Sequence, residues 1–187
     1  MTHRYSLADY TCKITLPDNL YTNDGVSLAG KVITLGGPGK TGIEGSFVGG
    51  ITISRNNEMW STSGDPTGSW THSKSLNRTG SVDISLNQIS NDVVLLNMIV
   101  AIYENDTYQN TGMSIKVFRN DTLVANCEDC YITKVPNQVY ADTAADQTWS
   151  FTSGRVTFPM TASWDSENIN WNKKRGIKYV NYRNSNR

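Results

Sequence analysis

Thr79-Gly80-Ser81-Val82-Asp83-Ile84-Ser85-Leu86-Asn87-Gln88-Ile89-Ser90-Asn91-Asp92, followed by Val93 to Glu104, is the stretch whose reading decides the fold. From Ser81 to Leu86 apolar and polar residues alternate strictly, with Val82, Ile84 and Leu86 on one side and Ser81, Asp83 and Ser85 on the other. That period is a strand with one dry and one wet face. Asn87-Gln88-Ile89 breaks it, and Ser90 stands where a helix N-cap belongs, because its hydroxyl can accept an orphan N–H of the first turn. Asp92 follows, its charge suited to the positive end of the helix dipole. The next ten residues, Val93 to Ile102, are apolar at nine positions, so a helix over about 91–104 is greasy almost all round and is expected to be buried on more than one side. No other segment of that length makes a good helix, while short alternating segments recur. One helix therefore has to serve a whole sheet.

With 187 residues, 37% hydrophobic and 15 glycines, the chain fits one β-rich domain plus an appendage. Met1 to Leu16 contains His3, Arg4, Asp9 and Lys13 and no apolar core of a signal peptide, so a soluble product made in a cytoplasm is expected. The longest apolar run is too short to cross a bilayer. Net charge is zero, yet six of the seventeen basic residues, among them Lys173, Lys174 and Arg175, fall in the last fifteen positions, which hold no acid. The preceding 172 residues keep eleven basic against seventeen acidic groups, a net of −6. An acidic body repels phosphate, which speaks against a folded nucleic-acid-binding surface.

The chain opens with a strand over Asp9 to Leu16, with Cys12, Ile14 and Leu16 inward, and a second over Ala29 to Leu35. Gly39-Lys40-Thr41 imitates the end of a phosphate-binding loop, but Thr34 stands where its first glycine is required and the following segment is unfit for a helix. A surface loop is the reading. Ile51 to Ser54 gives a third strand. Residues 58–77 are polar, a long hairpin or extended loop carrying Trp60 and Trp70 on either side of Ser63-Gly64-Asp65-Pro66-Thr67-Gly68, and loops of this length usually have a job. Later strands are expected over Met113 to Arg119, Thr122 to Asn126, Asp129 to Val135 and Thr148 to Thr152, with an extension past Gly154. From Pro159 periodicity is lost, and an extended basic arm with Trp164 and Trp171 is expected over 159–187. Division into a domain at 1–158 and that arm follows.

Chemistry is hard to find. Cys127-Glu128-Asp129-Cys130 has the spacing of half a zinc site or a redox dithiol, but a site needs further ligands and the only histidines are His3 and His72. Structural thiols, no metal and no cofactor are the reading. No nucleophile can be placed beside a histidine, and carboxylate pairs such as Glu104/Asp106 lie in loops, so no catalytic residue is assigned and the chain is read as no enzyme. Asn77, Asn105 and Asn120 head glycosylation triplets that carry no weight without a signal peptide. What stands out is physical. A sheet with one wet face and a single helix to roof it has two edges that invite pairing, and five prolines give those edges little defence. Copies joined by rotation would close into a ring with a wet bore.

Ser6-Leu7-Ala8-Asp9-Tyr10, the stretch Arg78 to Asp92, the stop Ile132-Thr133-Lys134-Val135-Pro136 and the strand Gln147-Thr148-Trp149-Ser150-Phe151 together resemble the bacteriophage tail tube protein family, over about residues 5–158. The resemblance implies a mainly β subunit, a β-sandwich or split β-barrel with one flanking helix. Hexameric rings of it would join inner sheets into a barrel and stack into the virion's conduit for DNA, with a sheath or other tail proteins as partners, no membrane, and the look of a contractile tail. Ser81, Asp83 and Ser85 would then line the lumen. Trp60, Asp65 and Trp70, with Trp164, Trp171, Lys173, Lys174 and Arg175, are candidates for contacts between subunits or rings. The rival reading is a β-sandwich interaction module, for instance one stacking carbohydrate on Trp60 and Trp70.

Overall fold

The structure is a computed structural model that describes residues 6–21, 25–40, 45, 47–104 and 112–159. A 3-10 turn at Leu7–Asp9 leads into β1 (Tyr10–Thr15), then β2 (Val32–Gly36), β3 (Phe47–Arg55), β4 (Trp60–Gly64), β5 (Trp70–Lys74) and β6 (Gly80–Asn87). The helix α1 (Asn91–Glu104) precedes β7 (Met113–Arg119), β8 (Thr122–Lys134) and β9 (Asp146–Thr157). Seven strands form one antiparallel sheet in the order β2-β1-β7-β8-β9-β6-β3, while β4 and β5 pair only with each other. The described residues are therefore mainly β with one α-helix, and that helix occupies the residues expected of it.

The alternation of Ser81 to Leu86 governs the centre of this sheet. Val82, Ile84 and Leu86 are fully buried and lie opposite Phe151, Trp149 and Gln147 of β9. With Cys12 and Ile14 of β1, Ile115 of β7 and the helix residues Val93, Leu96, Ile99 and Ile102, they make a single apolar core. Ser90 caps α1 as expected: its hydroxyl accepts from the Asp92 amide at 3.3 Å and its carbonyl from the Val93 amide at 3.1 Å. The helix departs from expectation on its far side. Val94 is 60% and Met98 43% exposed, because a helix lying on one curved sheet buries one stripe and, among the described residues, no second layer covers the other.

No closed barrel is found among the described residues. The curled sheet brings its two edge strands together at one point, where the Gly36 amide of β2 donates to the Gly45 carbonyl at 2.8 Å and the Phe47 ring of β3 lies over Gly36. Gly36 has φ +68°, and a side chain there would occupy the space of that ring. Away from this stitch the edges stay apart, leaving a cavity of about 270 Å³ lined by Leu7, Tyr10, Ile51, Ile53, Val117 and Phe158 among others. One hydrogen bond between the edges cannot substitute for a ladder.

Two strands are longer than the sequence suggested. β3 begins at Phe47, and its register shifts by a bulge between Phe47 and Gly50, with Gly50 at φ +98°. The two strands expected over Thr122 to Asn126 and Asp129 to Val135 are one, β8, which ends at Lys134 and bends where Asp129 adopts φ +55° and β7–β8 pairing slips between Met113 and Ile115. That bulge explains the Cys-x-x-Cys spacing. Two residues separate Cys127 from Cys130, yet both point into the core because the extra residue restores the inward phase.

Gly80 starts β6 where it crosses β3 and β9. A methyl there would strike the Ser54 carbonyl and a Val156 methyl group. Gly80→Ala is expected to cost about 1–3 kcal/mol, read as a lower urea midpoint at an unchanged m-value.

Candidate functional site

Three features lie outside the core: a hydroxyl-covered face, two unpaired strand edges and a projecting hairpin. The wet face belongs to β3, β6, β9 and the second half of β8. Ser81, Asp83 and Ser85, the three residues expected on it, are half-buried and tied to their neighbours. Ser54 and Ser81 share a hydrogen bond of 2.8 Å, the Ser150 hydroxyl donates to Asp83 Oδ1 at 2.6 Å, and Ser85 and Thr148 are 3.0 Å apart. Cross-strand register extends these pairs into rows: Ser54, Ser81, Thr152 and Tyr131 in one, Thr52, Asp83, Ser150 and Lys134 in the next. Such rows form because residues directly opposite on one face of a sheet lie within hydrogen-bonding reach. The result is a smooth surface of short polar side chains with their donors and acceptors engaged sideways. It offers no concave, convergent arrangement for chemistry.

Both borders of this face are open. β3 is an edge strand. On the other border, β7 pairs with β8 only as far as Cys130, so among the described residues no strand covers the flank of Ile132 to Lys134 that faces away from β9. Sequence alternation had no means of marking either edge, since edge status depends on which strands happen to be neighbours.

The hairpin β4–β5 springs from the end where Arg55 of β3 meets Gly80 of β6, and every one of its ten strand residues is exposed. Its register puts Trp60, Thr62, Trp70, His72 and Lys74 on one face and Ser61, Ser63, Thr71 and Ser73 on the other. Thr62 Oγ1 lies 2.9 Å from His72 Nδ1, Lys74 Nζ sits 5.7 Å from the Trp60 ring centre, and the Trp70 and His72 rings are 6.3 Å apart. Asp65 shapes the turn rather than offering a free charge: its Oδ1 accepts from the Thr67 hydroxyl at 2.6 Å, the Thr67 amide at 2.9 Å and the Ser69 amide at 3.0 Å. The Thr67 hydroxyl bond, then the Ser69 amide, hold its carboxyl below the usual carboxylate range. Trp164, Trp171, Lys173, Lys174 and Arg175 lie outside the described residues.

Cys12, Cys127 and Cys130 are all buried. Burial pushes the Cys12 thiol upward, Cys127 up to about 12 and Cys130 up to about 11. Thiols so hard to ionise are poor nucleophiles and poor metal ligands, and among the described residues no group of His, Cys, Asp and Glu could hold a metal ion. No described helix is long and apolar enough to cross a membrane.

A family model described as "Bacteriophage PhiTE tail tube protein" matches residues 21–160. The chain belongs to this tail tube family. Membership gives it a structural role in the tail of a phage or a related injection system, and the matched segment holds the hairpin, the helix and every strand of the sheet except β1. No curated protein matches the chain. Among solved structures it is similar to an anti-feeding prophage cap, the tube-terminating cap, at 12% identity and a TM-score of 0.44, covering 86% of this chain and 94% of that one. It is likewise similar to the sheath/tube terminator of an extracellular contractile injection system, PVC, in the extended state, at 14% identity, TM-score 0.47 and coverages of 85% and 99%. A chain of the PVC sheath-tube complex in the extended state follows at 13%, 0.42, 80% and 88%. At these scores the structural likeness carries no functional weight beside the family match.

One half-buried carboxylate gives a pH test of this tail tube subunit. Asp92, in the first turn of α1, is pushed above its ordinary value of 3.8 by burial, against an opposing pull from Lys40. A raised folded pKa means that the folded state binds the proton more tightly, so the stabilisation is complete below the unfolded value and is lost as pH rises through the folded one. Asp92→Asn is therefore expected to raise Tm relative to the parent at about pH 7, with the gain fading near pH 3; thermal melts at the two pH values check the sign.

Proposed function

We propose that the subunit builds the tail tube by closing six copies into a ring, the wet faces turned inward, and that stacked rings form the conduit through which DNA leaves the virion. The observation that carries this reading is the pair of open edges bordering one polar face. Along β8, β9, β6 and β3 the strands alternate in direction, so β3 of one copy can meet the free flank of Ile132 to Lys134 of the next as one more antiparallel neighbour. Repeated by rotation, that pairing leaves neither border of the polar face open. The bore is then walled by Ser81, Asp83 and Ser85 with their hydroxyl partners, short side chains that leave a passing polyanion little cation to grip beyond Lys134 at the border of the face.

Helix α1 packs on the dry side of the sheet, so its exposed stripe at Val94 and Met98 falls on the outside of such a ring, where a sheath would sit in a contractile tail. The hairpin projects from the end of the sheet and supplies contacts between rings through Trp60 and Trp70, with Asp65 holding its tip in shape. The basic arm, with Trp164, Trp171, Lys173, Lys174 and Arg175, is assigned to contacts with neighbouring acidic subunits or tail proteins. Native mass spectrometry of the full chain tests the reading. Masses of six chains and multiples of six are expected, and a monomer at every concentration up to the solubility limit would refute it.

A further inference from the structure

The hairpin has a face to bury and the opposite end of the molecule has a place to bury it. An open groove of about 620 Å³ is lined by Gln88, Ile89, Val139, Tyr140, Asp142 and Thr143 with adjoining alanines. It lies where Asn87 of β6 meets Asp146 of β9, the far end of β6 from Gly80 and the hairpin. Its apolar side chains face water: Tyr140 is 88% and Ile89 56% exposed, and Val139 is exposed as well. Trp70 on the hairpin is 73% exposed. Charge matches too, since the tryptophan face of the hairpin carries Lys74 and no carboxylate, whereas the groove lining carries Asp142 and no cation.

We infer that the Trp60/Trp70 face of one copy's hairpin seats in the Ile89/Tyr140 groove of a second copy, and that this contact sets one ring upon the next. The inference rests on the stacked-ring reading and names the receptor that reading lacks. A contact between opposite ends of identical molecules is heterologous and does not close on itself by a two-fold, so it propagates along the axis as a tube requires. Large aromatic side chains entering an apolar recess are the usual anchors of such interfaces. The reverse face of the hairpin, with only Ser61, Ser63, Thr71 and Ser73, gives no competing anchor.

The test uses full-length chains in which one partner surface at a time is spoiled. Both sites are exposed, so Trp70→Ala and Tyr140→Asp are expected to keep the parent's circular dichroism and Tm. Each alone is expected to give rings that do not stack, with the concentration needed for tubes raised roughly thirtyfold or more. Rings of the two variants, purified separately and mixed, are expected to form double rings that stop there, because only the Trp70-bearing face of one and the Tyr140-bearing groove of the other remain compatible. Tubes from either variant at the parent's concentration would overturn the inference while leaving the tube reading intact, as would a mixture that never pairs. If the parent forms no rings, the tube reading fails by itself. Sedimentation of the mixed monomers then decides the contact, a one-to-one dimer supporting it and its absence overturning it.

Discussion

A Trp149→Ala chain is expected to lose about 3–5 kcal/mol of folding stability, a large share of what a domain of this size possesses. Trp149 is fully buried in β9 opposite Ile84 of β6, at the centre of the half of the sheet that α1 and the dry faces enclose. Removing the indole leaves a void that strand backbones, held on both sides by ladders, cannot collapse to fill. The indole Nε1 is buried and finds no hydrogen-bond partner among the described residues, so part of its burial is already a cost. Trp149→Phe deletes that polar group and keeps most of the volume, and is expected to cost only about 1–2 kcal/mol. Urea unfolding of the two variants checks the pair. An alanine variant within about 1 kcal/mol of the parent would mean that the sheet is not closed over this residue.

Asp83→Lys is expected to leave folding and assembly near normal and to reduce DNA delivery by roughly tenfold or more. Asp83 is half-buried on the wet face and accepts one hydrogen bond, from Ser150; losing it costs about 1 kcal/mol. The consequence for transport is larger, because each ring would lose six carboxylates and gain six ammonium groups in the row that already holds Lys134, and every ring of the tube would repeat the change. Each phosphate neutralised releases counterions and adds a salt-dependent attraction, turning an inert wall into a chain of weak binding sites. Phage carrying the variant should show normal particles by microscopy, slowed DNA release in single-particle ejection assays, and partial recovery at raised ionic strength. Unchanged release would place Asp83 away from the channel.

Legibility in the sequence followed the range of the interactions that shape each element. Ser81 to Leu86 could be read because a period of two needs only adjacent residues, and the start of α1 because Ser90 announces it locally. β3 was half missed. Gly49 and Gly50 look like loop material, and their reason, a bulge beside Ser85, lies in another strand. β8 was split in two for the same kind of reason, since Asp129 reads as a turn and acts as a bulge. The apolar run of α1 could not say which side would stay wet, as nearly every side of it was greasy. How the sheet curls was beyond reach altogether: it turns on where β2 and β3 come to rest, and among the described residues they meet around Gly36 and Phe47. Of the surfaces proposed for assembly, Trp60 and Trp70 stand out in the sequence by being aromatic in a polar segment. Tyr140 and Val139 carried the same signal in a loop rich in Asp and Ala, and the free flank of Ile132 to Lys134 carried none.

The most direct measurement is a cryo-electron microscopy reconstruction of the full-length protein assembled in solution. It is expected to show six-fold rings in which the outer edge of β3 hydrogen-bonds to Ile132–Lys134 of the neighbouring copy, with Ser81, Asp83 and Ser85 facing an open channel. Rings in which those two edges lie apart, or in which the Ser81 to Ser85 face is packed against protein, would contradict it.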